Sequence, residues 1–265
     1  MSRHLAVVVG ISDYPGAGND LPGCVPDAAN WAAVLHERDV ESTVLVDADA
    51  TLANVTSALA QAMSRATSGD RVTFTFSGHG SRRPDRDGDE PDHWDETLVL
   101  HDAQLADDDL HAVFRARRRG VRLRVFSDSC HSGSVSRLVR ASTLLTGEPM
   151  QTRPRYLPPD VLLDGAELRR ARQLEQRETA AAARPRTGAL LLSGCRDDQV
   201  SYDARFPDGP AGAMTHCALT VLRQDPAVRA DVWAQRTRAL LAAYGFDQEP
   251  VLSGTWLQKR WRGLD

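Results

Sequence analysis

Lysine is almost absent from this chain. Lys259 is the only one, and every other basic side chain is arginine. With the many alanines, that skew reads as the GC-rich coding bias common in bacteria. A dominant charge is lacking too: 32 Lys and Arg face 36 Asp and Glu, a formal net charge of −4. No global basic field therefore directs the chain to nucleic acid or to an anionic membrane. Cysteine is scarce. Cys24, Cys130, Cys195 and Cys217 show neither CxxC spacing nor a dense framework, which argues against a zinc site and a disulfide scaffold. Long apolar runs are missing, and Met1-Ser-Arg-His enters the first strand pattern without a basic-then-apolar leader. Free thiols and the missing leader lead us to expect a cytoplasmic protein. No internal repeat is visible.

What is present is an alternation of short apolar runs and helical patterns. Strands are expected at His4–Val9, Thr43–Val46, Arg71–Phe76 and Val121–Phe126, with a brief one at Thr97–Leu100. Asp13–Gly23 reads as a loop. Helices are expected over Asp27–Arg38, from a cap at Asp49 or Thr51 to about Ala66, and over Asp107–Arg118. This order predicts an α/β sandwich around a mostly parallel sheet, with ligands bound beyond the carboxyl ends of the strands. Arg82–Glu96 is polar and acidic and reads as a loop. Ser142–Thr187, rich in proline and then arginine, reads as an exposed linker around a middle helix. Beyond it, Ala189–Ser193 and Val251–Trp256 read as strands, and Ala211–Leu222 and Val228–Tyr244 as helices. We expect one domain over 1–265, with a larger section (1–140), the linker (141–187) and a smaller section (188–265) that completes the same sheet.

Two segments carry the chemistry. Phe74-Thr-Phe-Ser-Gly-His-Gly80 and Val125-Phe-Ser-Asp-Ser-Cys-His-Ser-Gly133 are each an apolar run ending in a polar, Gly-containing turn. One turn presents His79 and the other Cys130. A thiolate nucleophile and an imidazole that moves the proton to a leaving amine are the two parts a thiol protease needs. A histidine roughly 50 residues upstream of the cysteine is the caspase-type order. His131 is a rival base beside the nucleophile. Cys24, Cys195 and Cys217 read as packing residues.

Ser77-Gly-His-Gly80 and Asp128-Ser-Cys-His-Ser-Gly133 resemble the two active-site motifs of the metacaspases, within the caspase-like cysteine proteases. Leu21-Pro-Gly-Cys-Val-Pro-Asp-Ala28, Asp87-Gly-Asp-Glu90 through Asp95-Glu96, Ser193-Gly-Cys-Arg-Asp-Asp-Gln-Val-Ser201 and Gln248-Glu-Pro-Val-Leu-Ser253 resemble further family segments in the same order. The resemblance implies a caspase-like α/β/α sandwich and a Cys130–His79 dyad. It also implies oxyanion donors from the backbone of Gly80 and Cys130, and peptide cleavage after Arg, with Lys second. Asp27, Ser77 and Asp128 match the positions that hold a basic P1 side chain, although Asp27 is equally well placed to cap a helix.

No cofactor is required by this reading, and calcium is the one metal the resemblance raises. Its candidates are Asp95, Asp107 and Asp108. Arg137 stands where relatives carry a further acid, and would repel the ion. Asp85, Asp87, Asp89 and Glu96 mimic an EF-hand loop, but Glu90 fills its glycine position. The linker arginines (Arg153, Arg155, Arg169, Arg170, Arg172, Arg177, Arg184 and Arg186) offer sites for self-processing or for an upstream activating protease. The expected partners are protein or peptide substrates with P1 Arg, without nucleic acid or membrane, and the expected state is a monomer. Alternatives are an Asp- or Asn-specific relative and a catalytically silent interaction module.

Overall fold

Alternation along the first strand divides the core in two. In β1 (His4–Gly10), Leu5, Val7 and Val9 join one buried cluster while Ala6 and Val8 join another. Strands buried on both faces are the mark of a parallel sheet covered on both sides. A computed structural model of the protein describes residues 2–86, 88, 90, 93–130, 150–174 and 188–265. After β1 come α1 (Cys24–His36), β2 (Glu41–Val46), α2 (Leu52–Arg65), β3 (Arg71–Ser77), β4 (Gly80–Pro84), β5 (Trp94–Val99), β6 (Gln104–Ala106), α3 (Asp107–Arg115) and β7 (Arg122–Asp128). The second part contains β8 (Thr152–Pro154), α4 (Pro159–Leu162), α5 (Gly165–Leu174), β9 (Leu190–Ser193), β10 (Tyr202–Phe206), β11 (Gly209–Gly212), α6 (Ala213–Gln224), α7 (Ala230–Ala243) and β12 (Val251–Ser253).

The main sheet has the order β12-β9-β7-β3-β1-β2, parallel except for the antiparallel edge β12. On one face Val55, Leu59 and Met63 of α2 and Phe114 of α3 join Leu5, Val7 and Val9 in one buried cluster, with Phe114 against Phe74 of β3. On the other, Trp31 of α1, Leu219 and Leu222 of α6 and Trp233 of α7 join Ala6 and Val8 in a second buried cluster. Trp31 lies 4.7 Å from Phe126 and 6.4 Å from Trp233, centroid to centroid. Truncating such a buried aromatic costs about 3–5 kcal/mol. This is the expected α/β/α sandwich, and no helix among the described residues is long and apolar enough to cross a membrane.

Three expectations need correction. Arg82–Glu96 is not simply an acidic loop: β4 and β5 frame it as an antiparallel pair, and with β6 they form a separate three-stranded sheet. The smaller section does not only complete the main sheet. Its β9 and β12 do, but β10 and β11 form another three-stranded sheet with β8. Most consequential, the linker is not exposed throughout. Met150, Arg155, Tyr156 and Leu157 are buried, because β8 joins β10 and carries the following residues into the cleft.

Candidate active site

β3 and β7 are neighbours in register, so their last residues, Ser77 and Asp128, stand side by side at the carboxyl end of the sheet. The turns that follow present His79 and Cys130. Gly10 lets α1 approach this edge: a Cβ there would sit 2.4 Å from the Cys24 carbonyl oxygen. That contact brings Asp27, in the first turn of α1, over the same strand ends. Asp27 does not cap the helix. Gly23 holds the N-cap position, and the Asp27 carboxylate is committed elsewhere.

Tyr14 fixes the His79 backbone. Its hydroxyl accepts the His79 N–H at 2.9 Å and donates to the Val99 carbonyl at 3.1 Å. His79 Nε2 lies 2.7 Å from the Asn19 carbonyl oxygen, which can only accept, so the ring proton belongs on Nε2. Nδ1 is then a bare lone pair, buried and without a partner. Burial lowers the His79 pKa to about 4; the Asn19 carbonyl and the Arg155 carbonyl oppose that shift, and the Arg155 charge adds to it.

Cys130 is buried, and its thiol points towards the smaller section. Sγ accepts the Ser201 N–H, lies 3.4 Å from the Ser201 carbonyl oxygen, and is 4.0 Å from Cys195 Sγ. The contact with Cys130, with burial next, pushes the Cys195 thiol far up. Among the described residues no hydrogen bond joins Cys130 to His79. His131, the rival base, and Arg137 lie outside the described residues.

The three acid-pocket candidates meet on one cation, which comes from the linker. Arg155 is completely buried. Its Nη2 donates to Asp27 at 2.8 Å and to Asp203 at 3.2 Å, and its Nη1 donates to the Ser77 hydroxyl at 2.6 Å and to the Asp128 carbonyl at 3.0 Å. The Asp128 carboxylate is 3.4 Å from Nη1 and also takes the Ser201 hydroxyl, the Thr215 hydroxyl and the Thr215 N–H. Asp27 further accepts the Ser77 hydroxyl at 2.5 Å and the Gly212 N–H at 3.0 Å. Gly212 is required here, since a Cβ would lie 2.3 Å from Asp128 Oδ2 and 2.6 Å from the Arg155 guanidinium carbon. Burial raises Asp27 to about 7, and raises Asp203 as well; in both the Arg155 charge pulls down.

The backbone of Arg155 is held as closely as its side chain. Its carbonyl oxygen accepts the Gly80 N–H at 3.0 Å and the Cys130 N–H at 3.1 Å, and its N–H donates to the Ser201 carbonyl at 2.9 Å. Two amides converging on one carbonyl can stabilise the oxyanion that forms when such a carbon is attacked.

Of the metal candidates, Asp107 lines a cavity together with Ser129 and Cys195. Asp95 Oδ2 accepts Arg83 Nε at 3.1 Å, while its Oδ1 is buried without a partner. Burial raises Asp95 to about 6; the Arg83 charge opposes it, and nearby Asp85 and Asp108 add to it. Asp107 and Asp108 open α3 and, with His111, place ligand atoms within 4.8 Å of one another. Asp87 and Asp89 of the EF-hand-like run lie outside the described residues.

Sequence reasoning missed Asp203, Ser201, Asn19 and Tyr14, and did not single out Arg155. Asp203 alternates with Tyr202 and Ala204, a pattern that reads as a solvent-facing acid. Arg155 is one of eight linker arginines with nothing local to distinguish it.

A buried cysteine and a histidine on adjacent strand-end turns, beside converging amides, define a cysteine-type peptidase. Comparison with known proteins agrees: the caspase-domain family matches residues 3–261, and the chain belongs to that family. It is 32% identical to Metacaspase-1B of Neosartorya fischeri, over 97% of this chain and 71% of that protein. It is 31% identical to Metacaspase-1 of Mycosarcoma maydis, over 96% and 70%. Among solved structures, a Geobacter sulfurreducens protein superposes with a TM-score of 0.74 at 28% identity, covering 99% of this chain and 98% of that one. Caspase-1 of Spodoptera frugiperda shares the fold, with a TM-score of 0.57 at 14% identity over 96% and 86%.

Proposed function

We propose that this peptidase is an endopeptidase cutting after arginine, and secondarily after lysine, with Cys130 as nucleophile and His79 as acid–base group. One observation carries the reading: the Arg155 guanidinium sits buried among Asp27, Asp128, Asp203 and Ser77 while its carbonyl takes the Gly80 and Cys130 amides. A pocket of three carboxylates favours a cationic P1 side chain through charge-assisted bonds and disfavours an acidic one. For reaction, the Cys130 thiol turns from Ser201 towards the scissile carbonyl and loses its proton to His79 Nδ1. The two amides hold the oxyanion, an interaction whose loss typically costs about 10²–10³ in kcat. The same Nδ1 protonates the leaving amine, and water releases the thioester.

Activation by cleavage within 141–187 is part of this reading. So is an accessory calcium ion. The partnerless Asp95 Oδ1, with the Asp108 charge nearby, suits a hard oxygen-seeking cation, whereas His111 beside Asp107 does not. The test is a peptide set varied at P1, assayed with and without calcium. Arg-P1 peptides should be cleaved fastest. Faster cleavage of Asp- or Asn-P1 peptides would overturn the pocket assignment. A thiol-reactive Arg peptide should label Cys130, and failure to do so would favour a silent module.

A further inference from the structure

The geometry points to the Arg155–Tyr156 peptide as this protease's own first scissile bond, with residues 152–157 lying in the cleft as a bound substrate. This rests on the roles given above to Cys130 and His79, and it names a bond and subsites that those roles leave open.

The main chain is gripped on both sides of the bond. Before it, Thr152, Arg153 and Pro154 pair antiparallel with Ala204, Asp203 and Tyr202, and the Arg155 N–H continues the ladder to the Ser201 carbonyl at 2.9 Å. After it, Tyr156 bridges Gly80, and the Leu157 N–H donates to the Gly80 carbonyl at 2.9 Å. An extended segment adding a strand to a sheet edge is a general mode of peptide recognition. A purely structural role as the cation between Asp27, Asp128 and Asp203 would explain the side chain. It gives no reason for the Arg155 carbonyl to sit between the two amides.

The register assigns subsites. Thr152 is P4, Arg153 P3, Pro154 P2, Arg155 P1 and Tyr156 P1′. Arg153 is exposed, yet its Nη1 donates to the Asp20 carbonyl at 3.0 Å and lies 3.3 Å from that of Gly18. The loop before α1 therefore prefers a P3 arginine. At rest the bond survives because Sγ is engaged by Ser201 and Cys195. Once Sγ turns, it bonds to the Arg155 carbonyl carbon. The bond to the Tyr156 nitrogen then breaks as that nitrogen takes the proton carried on His79. One water hydrolyses the thioester, leaving chains 1–155 and 156–265, and the Arg155 carboxylate must depart before another substrate enters.

The purified full chain and its Cys130→Ala variant are incubated, and followed by intact mass and N-terminal sequencing. The wild type should yield a new N-terminus at Tyr156, at a rate independent of protein concentration; Cys130→Ala should stay whole, and Arg155→Gln should lose this cut. A wild type that cleaves an added Arg-P1 peptide but leaves Arg155–Tyr156 intact would overturn the inference and spare the dyad. Cleavage at this bond whose rate rises with concentration would overturn the claim that each chain holds its own bond. Failure to cleave either would remove both. Because Arg155→Gln strips a buried cation and can impair folding, a second measurement uses peptides alone. A Thr-Arg-Pro-Arg reporter should exceed Thr-Ala-Pro-Arg about tenfold in kcat/KM; equal rates would remove the Arg153 subsite.

Discussion

The cleft is assembled from two parts of the chain that work differently. The turns after β3 and β7 carry His79 and Cys130 at the ends of adjacent parallel strands, where backbone pairing fixes their positions. The later part, around β10 and β11, carries Ser201, Asp203 and Gly212, which hold the Arg155 backbone, its guanidinium and Asp27. On the proposed reading, chemistry thus sits at the carboxyl end of the main sheet and much of recognition on a small separate sheet. Rate and affinity should therefore respond separately to mutation.

The largest effect belongs to the front turns. Cys130→Ala should lower kcat/KM on an Arg-P1 reporter by at least about a thousandfold. Substantial residual cleavage would place the nucleophile elsewhere. Asp27 spans the two parts. Asp27→Ala should raise KM about a hundredfold and, by leaving Arg155 with one fewer carboxylate, lower stability by about 3–5 kcal/mol in a denaturant titration. Asp203→Asn keeps an accepting oxygen and has the longer 3.2 Å contact, so its KM should rise only about tenfold. An Asp203→Asn defect in kcat alone would collapse the division between chemistry and recognition.

Acid should distinguish His79 from the recognition part. Its folded pKa of about 4 lies below the 6.5 of the free side chain. The unfolded chain therefore takes the proton first. Stability is complete above 6.5 and is lost as pH falls towards 4. Asp27 has the opposite sign: raised from 3.8 to about 7, it contributes most below 3.8 and loses that contribution as pH rises through 7. The melting temperature of the wild type relative to His79→Gln should drop between pH 7 and 4.5; a constant difference would mean that His79 is not held neutral by burial. The smallest effect is Tyr14→Phe. It leaves the buried His79 N–H without an acceptor, at about 1–3 kcal/mol, readable as a lower denaturation midpoint.

The front part was legible because strand periodicity followed by a Gly-flanked polar turn is a local signal, and Cys130, His79, Ser77 and Asp128 all lie within it. Asp27 was legible only with its helix, and its competing role as a cap was excluded by Gly23, which holds the N-cap position while the carboxylate turns to Arg155. The later part was hidden for a different reason. Asp203 is buried because a guanidinium arrives from residue 155, and nothing local encodes that long-range pairing. The linker looked exposed because its composition is polar, yet one arginine has three carboxylates to neutralise it. The β4–β5 pair was obscured by the acidic residues between its strands.

The tether on Arg155 also changes the arithmetic of competition. A ligand joined to its site within one chain is present at an effective concentration of up to roughly millimolar. A free peptide of equal intrinsic affinity at about 10 µM would occupy the cleft in only about one molecule in a hundred. On the proposed reading, raising the supply of outside substrate while the chain is whole should therefore do little. If Arg155–Tyr156 is cut as proposed, response is set by the state of that one covalent bond, and the molecule would behave as a timer started by its own cleavage and not as a gauge of how much substrate surrounds it.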